Sequence, residues 1–172
     1  IGDDSHGKGG SRTIRDSVEG WFMQSLLVID DESSILKAFE RAFASDTTMV
    51  LTAKNAADGE AIFADAKPDV VVIDLNLPDV SGLDCFNRLR EIDSRVPVIF
   101  ITGHGTVESA IEATKLGAYD YLFKPLELDE MRALLDKAFK LSRMVRVQPV
   151  LANDDDVSSD AIVGRCRAMK EV

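Results

Sequence analysis

The stretch that decides the fold is Asp69-Val70-Val71-Val72-Ile73-Asp74-Leu75-Asn76-Leu77-Pro78-Asp79. Its four consecutive β-branched residues have no polar interruption and predict a strand that is buried on both faces. The strand ends on the carboxylate of Asp74, and Pro78 prevents it from continuing. In an open parallel sheet, ligands bind just outside the carboxyl ends of the strands. Asp74 is therefore a candidate reactive group; the alternative is that it only begins a turn.

The same alternation of apolar runs and amphipathic segments extends outward from this strand in both directions. Besides the strand that ends at Asp74, the sequence predicts strands at 26–30, 49–53, 96–102 and 119–125. Helices are predicted after Ser33, at about 58–66, from the turn at Val80 to about Ile92, at about 106–116 and at about 127–145, with Gln148-Pro149 ending the last one. Five strands that are each followed by a helix predict an α/β fold: a doubly wound parallel sheet with helices on both faces.

Composition limits the possible functions. The 172 residues leave room for one ordinary domain with appendages, and the apolar fraction of 45% is enough for a core. A formal charge of −10 argues against a broad surface for nucleic acid or membranes. Cys85 and Cys166 lack metal-ligand spacing, no signal peptide is evident, and no apolar run is long enough to cross a bilayer. We therefore expect a cytoplasmic protein.

The two ends of the chain differ in character from its centre. Residues 1–23 are rich in Gly, Ser and Asp and are predicted to be a disordered or vector-derived leader. Residues 24–144 are predicted to form one domain. Residues 145–160, which include Asn153-Asp154-Asp155-Asp156, are predicted to be a solvated linker.

Polar side chains end four of the five predicted strands. Because the carboxyl ends of parallel strands share one edge of the sheet, we expect these side chains to meet there. They are Asp30 and Asp31 after the first strand, Asp74 after the third, Thr102 after the fourth and Lys124 after the fifth.

The carboxylates at this edge predict a magnesium site. Crowded carboxylates repel each other, so one of them would keep a proton unless a cation were present. Mg²⁺ prefers a few oxygen ligands together with waters and phosphate oxygens. Asp31 and Asp74 are the predicted carboxylate ligands, Asn76 can supply its backbone carbonyl, and Asp30 binds directly or through water.

The remaining residues at this edge suit phosphoryl transfer. Asp74, kept deprotonated beside the metal, can act as a nucleophile towards phosphorus and form an acyl phosphate. Thr102 and Lys124 suit the new phosphoryl oxygens, through a hydroxyl donor and through charge, and Lys124 would pair with Asp74 before modification. The alternative for each residue is an ordinary satisfied polar group at the end of a strand.

Taken together, these residues resemble the receiver domain of two-component response regulators. The resemblance covers about residues 24–144 and is carried by Asp30-Asp31, Asp74 with Pro78 four residues on, Thr102-Gly103 and Lys124-Pro125. It implies that Asp74 is the phosphoacceptor, that a sensor histidine kinase supplies the phosphoryl group, and that Mg²⁺ is required. It also implies a flavodoxin-like strand order 2-1-3-4-5 and a signalling module that catalyses only its own phosphoryl transfer and dephosphorylation.

The resemblance implies a switch as well. Thr102 would move to bond the phosphoryl group, and the ring of Tyr121, three residues before Lys124, would turn into the vacated space. Phosphorylation would in this way bias an existing equilibrium between two states.

Two further stretches are similar to the NtrC-like, sigma-54-dependent activators. These are residues 101–106 together with 113–121, and the tail 161–172, which is similar to the segment that opens the AAA+ ATPase domain of those activators. The similarity implies a chain truncated at the start of that domain, since no Gly-x-x-x-x-Gly-Lys-Ser/Thr run is present. It implies a receiver that controls an attached transcription-activating ATPase, binds no nucleic acid itself, and contacts RNA polymerase only through domains outside this chain.

The last helix also carries a candidate dimer seam, and we expect a homodimer through the last helices. Its residues step by three and four positions, as in a coiled coil, although an ordinary core-facing helix gives the same pattern. They are Leu128, Met131, Leu135, Ala138, Ser142 and Val145. The exposed side of the final strand and its flanking helices is the expected surface.

Two other classes of protein are alternatives. An aspartyl-phosphate phosphatase of the haloacid-dehalogenase type also uses an Asp at a strand end with Mg²⁺. That chemistry needs a general acid two residues beyond the nucleophile, where this chain has Asn76. A stand-alone adaptor receiver is the third possibility, and the activator-like tail argues against it.

Overall fold

The computed structural model describes residues 23–103 and 106–151. The strands are β1 (Gln24–Ile29), β2 (Thr48–Ala53), β3 (Val70–Asp74), β4 (Val98–Thr102) and β5 (Asp120–Phe123). The helices are α1 (Ser33–Phe43), α2 (Ala56–Ala66), α3 (Gly82–Ile92), α4 (Val107–Lys115) and α5 (Leu128–Leu151). Most of the predicted leader, the end of the predicted linker and the activator-like tail lie outside the described residues.

The five strands form one parallel sheet in the order β2-β1-β3-β4-β5. Val72 of β3 lies opposite Val28 of β1 on one side and Ile99 of β4 on the other. The doubly wound fold and the strand order are therefore as predicted. This order places β3 in the centre of the sheet, so the end of β3 lies between the ends of β1 and β4.

Alternate side chains of the strands point to opposite faces, and each face is covered by helices. On one face, Ile73 packs in a cluster with α2 and α3, which includes Phe63, Phe86 and Leu89. On the other face, Val72 packs in a cluster with α1 and α5, which includes Leu36, Phe39, Met131 and Leu135. All five residues of β3 are buried, which confirms the predicted strand with two covered faces.

The helix α2 begins at Ala56, two residues before its predicted start. Asn55 is its N-cap, and the Asn55 side chain accepts a hydrogen bond from the backbone N–H of Asp58. The carboxylate of Asp79 accepts from the N–H groups of Ala56 and Ala57 at 3.0 and 3.1 Å. Two groups therefore satisfy the free N–H donors at this helix end, and one of them comes from the loop after β3.

The helix α5 extends to Leu151, so the prediction that Gln148-Pro149 ends it is wrong. A proline removes one backbone N–H and crowds the carbonyl four residues before it, and this kinks or weakens a helix without always ending it. Two residues follow Pro149 within the helix. In the part of the chain that the structure describes, no helix is both long and apolar enough to span a membrane.

Four of the six residues of the predicted seam on α5 belong to the core of the domain. Met131, Leu135, Ala138 and Ser142 are at most 2% exposed, and the three apolar ones pack in the cluster with α1. For these four residues the prediction of a dimer seam is wrong, because the domain itself covers them. Leu128 is 50% exposed, and a homodimer through the last helices stays a prediction. The same sequence pattern serves a helix that packs on its own sheet.

Candidate phosphorylation site

The ends of β1, β3, β4 and β5 meet at one edge of the sheet, as predicted. Asp30 and Thr102 are 0% exposed and Asp74 is 4% exposed, whereas Asp31 is exposed to solvent. Buried polar groups at a sheet edge need partners, because burial without hydrogen bonds or charge pairing is costly. The contacts of these side chains therefore define what the site can do.

Both oxygens of the Asp74 carboxylate are fixed by hydrogen bonds. Oδ1 accepts from the backbone N–H of Asn76 at 2.9 Å, and Oδ2 accepts from Lys124 Nζ at 2.8 Å. The predicted pairing of Lys124 with Asp74 is thus present. An ionised carboxylate held in a fixed orientation, with a cation beside it, is a suitable nucleophile for phosphorus.

The ammonium of Lys124 faces three carboxylates. It lies 2.8 Å from Asp30 Oδ2, 2.7 Å from Glu32 Oε1 and 2.8 Å from Asp74 Oδ2. Burial alone would lower the pKa of Lys124, but the hydrogen bonds and the charges of these carboxylates outweigh it and raise the pKa. The lysine therefore stays charged at any physiological pH. Its contact with Glu32 was not predicted from the sequence.

The contacts of the Asp30 carboxylate suit a residue that lies beside a cation. Its Oδ1 accepts from the backbone N–H of Glu32 at 2.7 Å. Its buried Oδ2 lies close to Lys124, but not in the geometry of a hydrogen bond. Burial raises the pKa of this carboxyl group, and Lys124 opposes that effect only in part.

The three aspartates together offer a possible metal site. Asp30, Asp31 and Asp74 each have a ligand oxygen within 4.8 Å of the others. A set of carboxylate oxygens with one buried, incompletely satisfied atom is what a hard cation such as Mg²⁺ prefers. The residues at this edge therefore fit the implied metal.

Asn76 forms hydrogen bonds with both Asp74 and Thr102. Its backbone N–H bonds to Asp74, and its side-chain amide donates to Thr102 Oγ1 at 3.2 Å. The side chain of this residue therefore connects the end of β3 to the end of β4. Its backbone carbonyl as a metal ligand stays a prediction.

Tyr121 is half-buried and lies against α4. Its hydroxyl is 3.1 Å from Ser109 Oγ, and its ring centroid is 5.1 Å from that of Phe123. Ser109 is also part of the capping box of α4, in which the Thr106 side chain accepts from the Ser109 N–H. A change in the orientation of Tyr121 would therefore break a contact at the first turn of α4.

Gly82 was predicted only as part of a turn, but it has a role at the site. It is the first residue of α3, and a Cβ at this position would overlap the carbonyl oxygen of Asp74. The start of α3 can lie against the backbone of Asp74 because residue 82 has no side chain. The signal in the sequence is a glycine directly after Ser81, a residue type that favours helix N-caps.

Comparison with known protein families and structures places this geometry in context. The family model for the response regulator receiver domain matches residues 26–136. The chain is 35% identical over 119 residues to the regulatory protein AtoC of Escherichia coli, covering 69% of this chain and 26% of AtoC. It is 34% identical over 145 residues to the DNA-binding transcriptional regulator NtrC of Proteus hauseri, covering 84% of this chain and 30% of NtrC.

Solved structures give the same result. A response regulator receiver domain from Clostridium thermocellum superposes with a TM-score of 0.67 at 35% identity, covering 71% of this chain and 98% of that one. The beryllofluoride-activated receiver domain dimer of NtrC4 superposes with a TM-score of 0.66 at 32% identity, covering 70% and 99%. The chain spans only about a third or less of the length of AtoC and NtrC. On the match to residues 26–136, this chain belongs to the response regulator receiver domain family.

Proposed function

We propose that this chain accepts a phosphoryl group on Asp74 from a sensor histidine kinase and thereby controls an attached transcription-activating AAA+ ATPase. The observation that carries the proposal is the Asp74 carboxylate, which is buried, doubly hydrogen-bonded and paired with Lys124 at the centre of an acidic cluster. We expect the protein to act in the cytoplasm. The similarity to NtrC and AtoC supports the control of a transcription factor.

The transfer follows from the contacts of Asp74. A carboxylate oxygen attacks phosphorus, an oxygen–phosphorus bond forms, and the bond from phosphorus to the donor breaks with its electron pair leaving on the donor. Asp30, Asp31, Asp74 and the carbonyl of Asn76 would hold Mg²⁺, which when bound neutralises charge on the phosphoryl oxygens. Lys124 and Thr102 then pair with those oxygens by charge and by hydroxyl donation.

The switch would pass through Tyr121. A phosphoryl group adds about −1.5 to −2 charges at Asp74. When Thr102 moves to bond it, the Tyr121 ring turns inward and leaves Ser109. The first turn of α4 then loses a contact, so the surface formed by α4 and β5 changes.

This surface is also the proposed site of dimerisation. Ile111, Leu116 and Phe123 are 49%, 38% and 52% exposed, and they belong to α4, the residue after it and β5. Exposed apolar side chains on neighbouring elements are typical of protein interfaces. The beryllofluoride-activated NtrC4 receiver domain is a dimer, which supports dimerisation of this chain on activation.

Phosphorylation of Asp74 is tested with acetyl phosphate and Mg²⁺. We expect the intact mass to rise by one phosphoryl group, because acetate leaves as Asp74 attacks phosphorus. The increase should disappear in Asp74→Asn and after Mg²⁺ is removed with a chelator. The matched control is Asp65→Asn, which changes an exposed carboxylate on α2 and should be modified like the wild type.

The same assay separates the proposal from an aspartyl-phosphate phosphatase. The residue two positions beyond Asp74 is Asn76, whose neutral amide donates a hydrogen bond to Thr102 but is far too weak an acid to act as a general acid. A stable modification without turnover of other phosphoesters supports the receiver. Steady release of phosphate from a general phosphoester substrate would contradict it.

A further inference from the structure

Glu32 occupies a helix N-cap position, for which glutamate is not a favoured residue. It is the N-cap residue of α1, yet its side chain makes no capping hydrogen bond. N-caps favour Ser, Thr, Asp and Asn, because their short side chains reach the N–H groups of the first helical turn. Glu32 Oε1 instead accepts from Lys124 Nζ at 2.7 Å, across 92 positions of sequence. Its side chain therefore serves the phosphorylation site rather than its own helix.

Three carboxylates surround the ammonium of Lys124 within 2.8 Å. Glu32 and Asp74 accept hydrogen bonds from it, and Asp30 adds an ion pair without hydrogen-bond geometry. A phosphoryl group on Asp74 brings a further strong acceptor and more negative charge to the same ammonium. Because like charges repel, one of the carboxylates around Lys124 must move away when the lysine bonds the phosphoryl oxygen.

Solvent exposure decides which partner is released. The side chains of Asp30 and Asp74 are 0% and 6% exposed, so neither can regain water in exchange for the lysine. The side chain of Glu32 is 54% exposed and becomes hydrated at little cost. We infer that Glu32 is a positioning residue that holds Lys124 before phosphorylation and competes with the phosphoryl group for it. This inference rests on the proposed role of Asp74.

If Glu32 competes for Lys124, its replacement should tighten the binding of a phosphoryl mimic. Beryllofluoride serves as the probe for the phosphoryl group, and its dissociation constant is measured at saturating Mg²⁺ so that metal occupancy stays constant. In Glu32→Gln the competing charge is gone, so we expect binding to become about two- to fivefold tighter. Glu32→Asp is one methylene shorter and loses the contact, and it should also bind more tightly although it keeps the charge.

Two controls separate the contact from general effects. Glu91→Gln removes an exposed charge on α3 and should bind beryllofluoride like the wild type. Thermal unfolding of every variant shows whether the fold is intact, and Glu32→Asp supplies a residue type that favours N-caps. A structural role for Glu32 would change unfolding but not the dissociation constant.

Each other outcome overturns the inference in a distinguishable way. Tighter binding by Glu32→Gln with wild-type binding by Glu32→Asp would mean that charge alone acts, without the contact. Unchanged or weaker binding in both variants would remove the competition but leave the proposed function intact. If the wild-type protein itself does not bind beryllofluoride with Mg²⁺, the proposed function fails and the inference fails with it.

Discussion

At the scale of single residues, the position of Asp74 depends on the hydrogen bonds of its carboxylate and on a neighbouring glycine that has no side chain. Asn76 and Lys124 hold the two carboxylate oxygens, and Gly82 allows α3 to lie against the Asp74 backbone. A Cβ at residue 82 would overlap backbone atoms of Asp74 and Leu75. Because these atoms are not the end of a flexible side chain, the Asp74 backbone would have to move. The orientation of the nucleophile is therefore sensitive to one methyl group.

Replacing Gly82 by alanine should impair the site more than the fold. Overpacking of this kind costs about 1–3 kcal/mol of stability. A shift of the nucleophile should weaken beryllofluoride binding by about ten- to a hundredfold. Isothermal titration at saturating Mg²⁺ measures the second effect, and thermal unfolding measures the first.

The matched control is Gly59→Ala. A Cβ at Gly59 would overlap the side chain of Ile29 in the core, so stability should fall while the site keeps its geometry. Wild-type beryllofluoride binding is expected for this variant. If Gly82→Ala also binds normally, then residue 82 does not position Asp74.

At the scale of elements, sequence pattern predicted most of the sheet and missed the contacts between loops. The run Val70–Asp74 is buried on both faces as its composition predicted, and the strand ends do meet at one edge. The link from Glu32 to Lys124 joins residues 92 positions apart, so no local pattern contains it. The start of α2 was misplaced for the same reason, since Asp79 of another loop satisfies its first N–H groups. Periodicity shows which face of α5 is apolar, but a coiled-coil seam and a core-facing stripe have the same spacing.

The tether from Asp79 to α2 should make the stability of the domain depend on pH. Hydrogen bonds from the N–H groups of Ala56 and Ala57 hold the pKa of Asp79 below its usual range. A lowered folded-state pKa means that the stabilisation is present above the unfolded pKa of about 4 and is lost as pH falls through the folded pKa. Asp79→Asn loses the charge and one of the two acceptor oxygens of an exposed group, so it should lower Tm at pH 7 by about 1–3 °C, which is less than the effect of removing a complete cap worth about 1 kcal/mol.

The difference in Tm between wild type and Asp79→Asn should shrink as the pH is lowered below 4, because the wild-type carboxylate then becomes protonated. Thermal unfolding followed by circular dichroism at several pH values measures it. Asp65→Asn, on the exposed side of the same helix, is the control and should show little difference at any pH. A difference for Asp79→Asn that stays constant across this range would contradict the tether.

At the scale of the whole molecule, the site and the proposed dimer surface are connected through a short path. Lys124 directly follows Phe123, whose ring contacts that of Tyr121, and the Tyr121 hydroxyl reaches Ser109 on α4. An event at Asp74 therefore reaches α4 through three non-covalent contacts, which are Asp74–Lys124, Phe123–Tyr121 and Tyr121–Ser109. On α4, just after it and on β5, the exposed apolar side chains of Ile111, Leu116 and Phe123 form the proposed surface for association.

A polar substitution on α4 should therefore separate association from activation. We expect beryllofluoride and Mg²⁺ to convert the wild-type protein into a dimer, which light scattering after size-exclusion chromatography detects as a doubled mass. Ile111→Ser should lower this association by about tenfold or more, because it removes a half-exposed apolar side chain from the proposed surface. The affinity of the Ile111→Ser monomer for beryllofluoride should stay close to that of the wild type, because the contacts that hold Asp74 and Lys124 do not involve Ile111.

Met49→Ser is the matched control, since Met49 is 43% exposed on β2 at the opposite edge of the sheet. Loss of the dimer in Met49→Ser but not in Ile111→Ser would place the interface on the β2 edge and contradict the path through Tyr121 and α4.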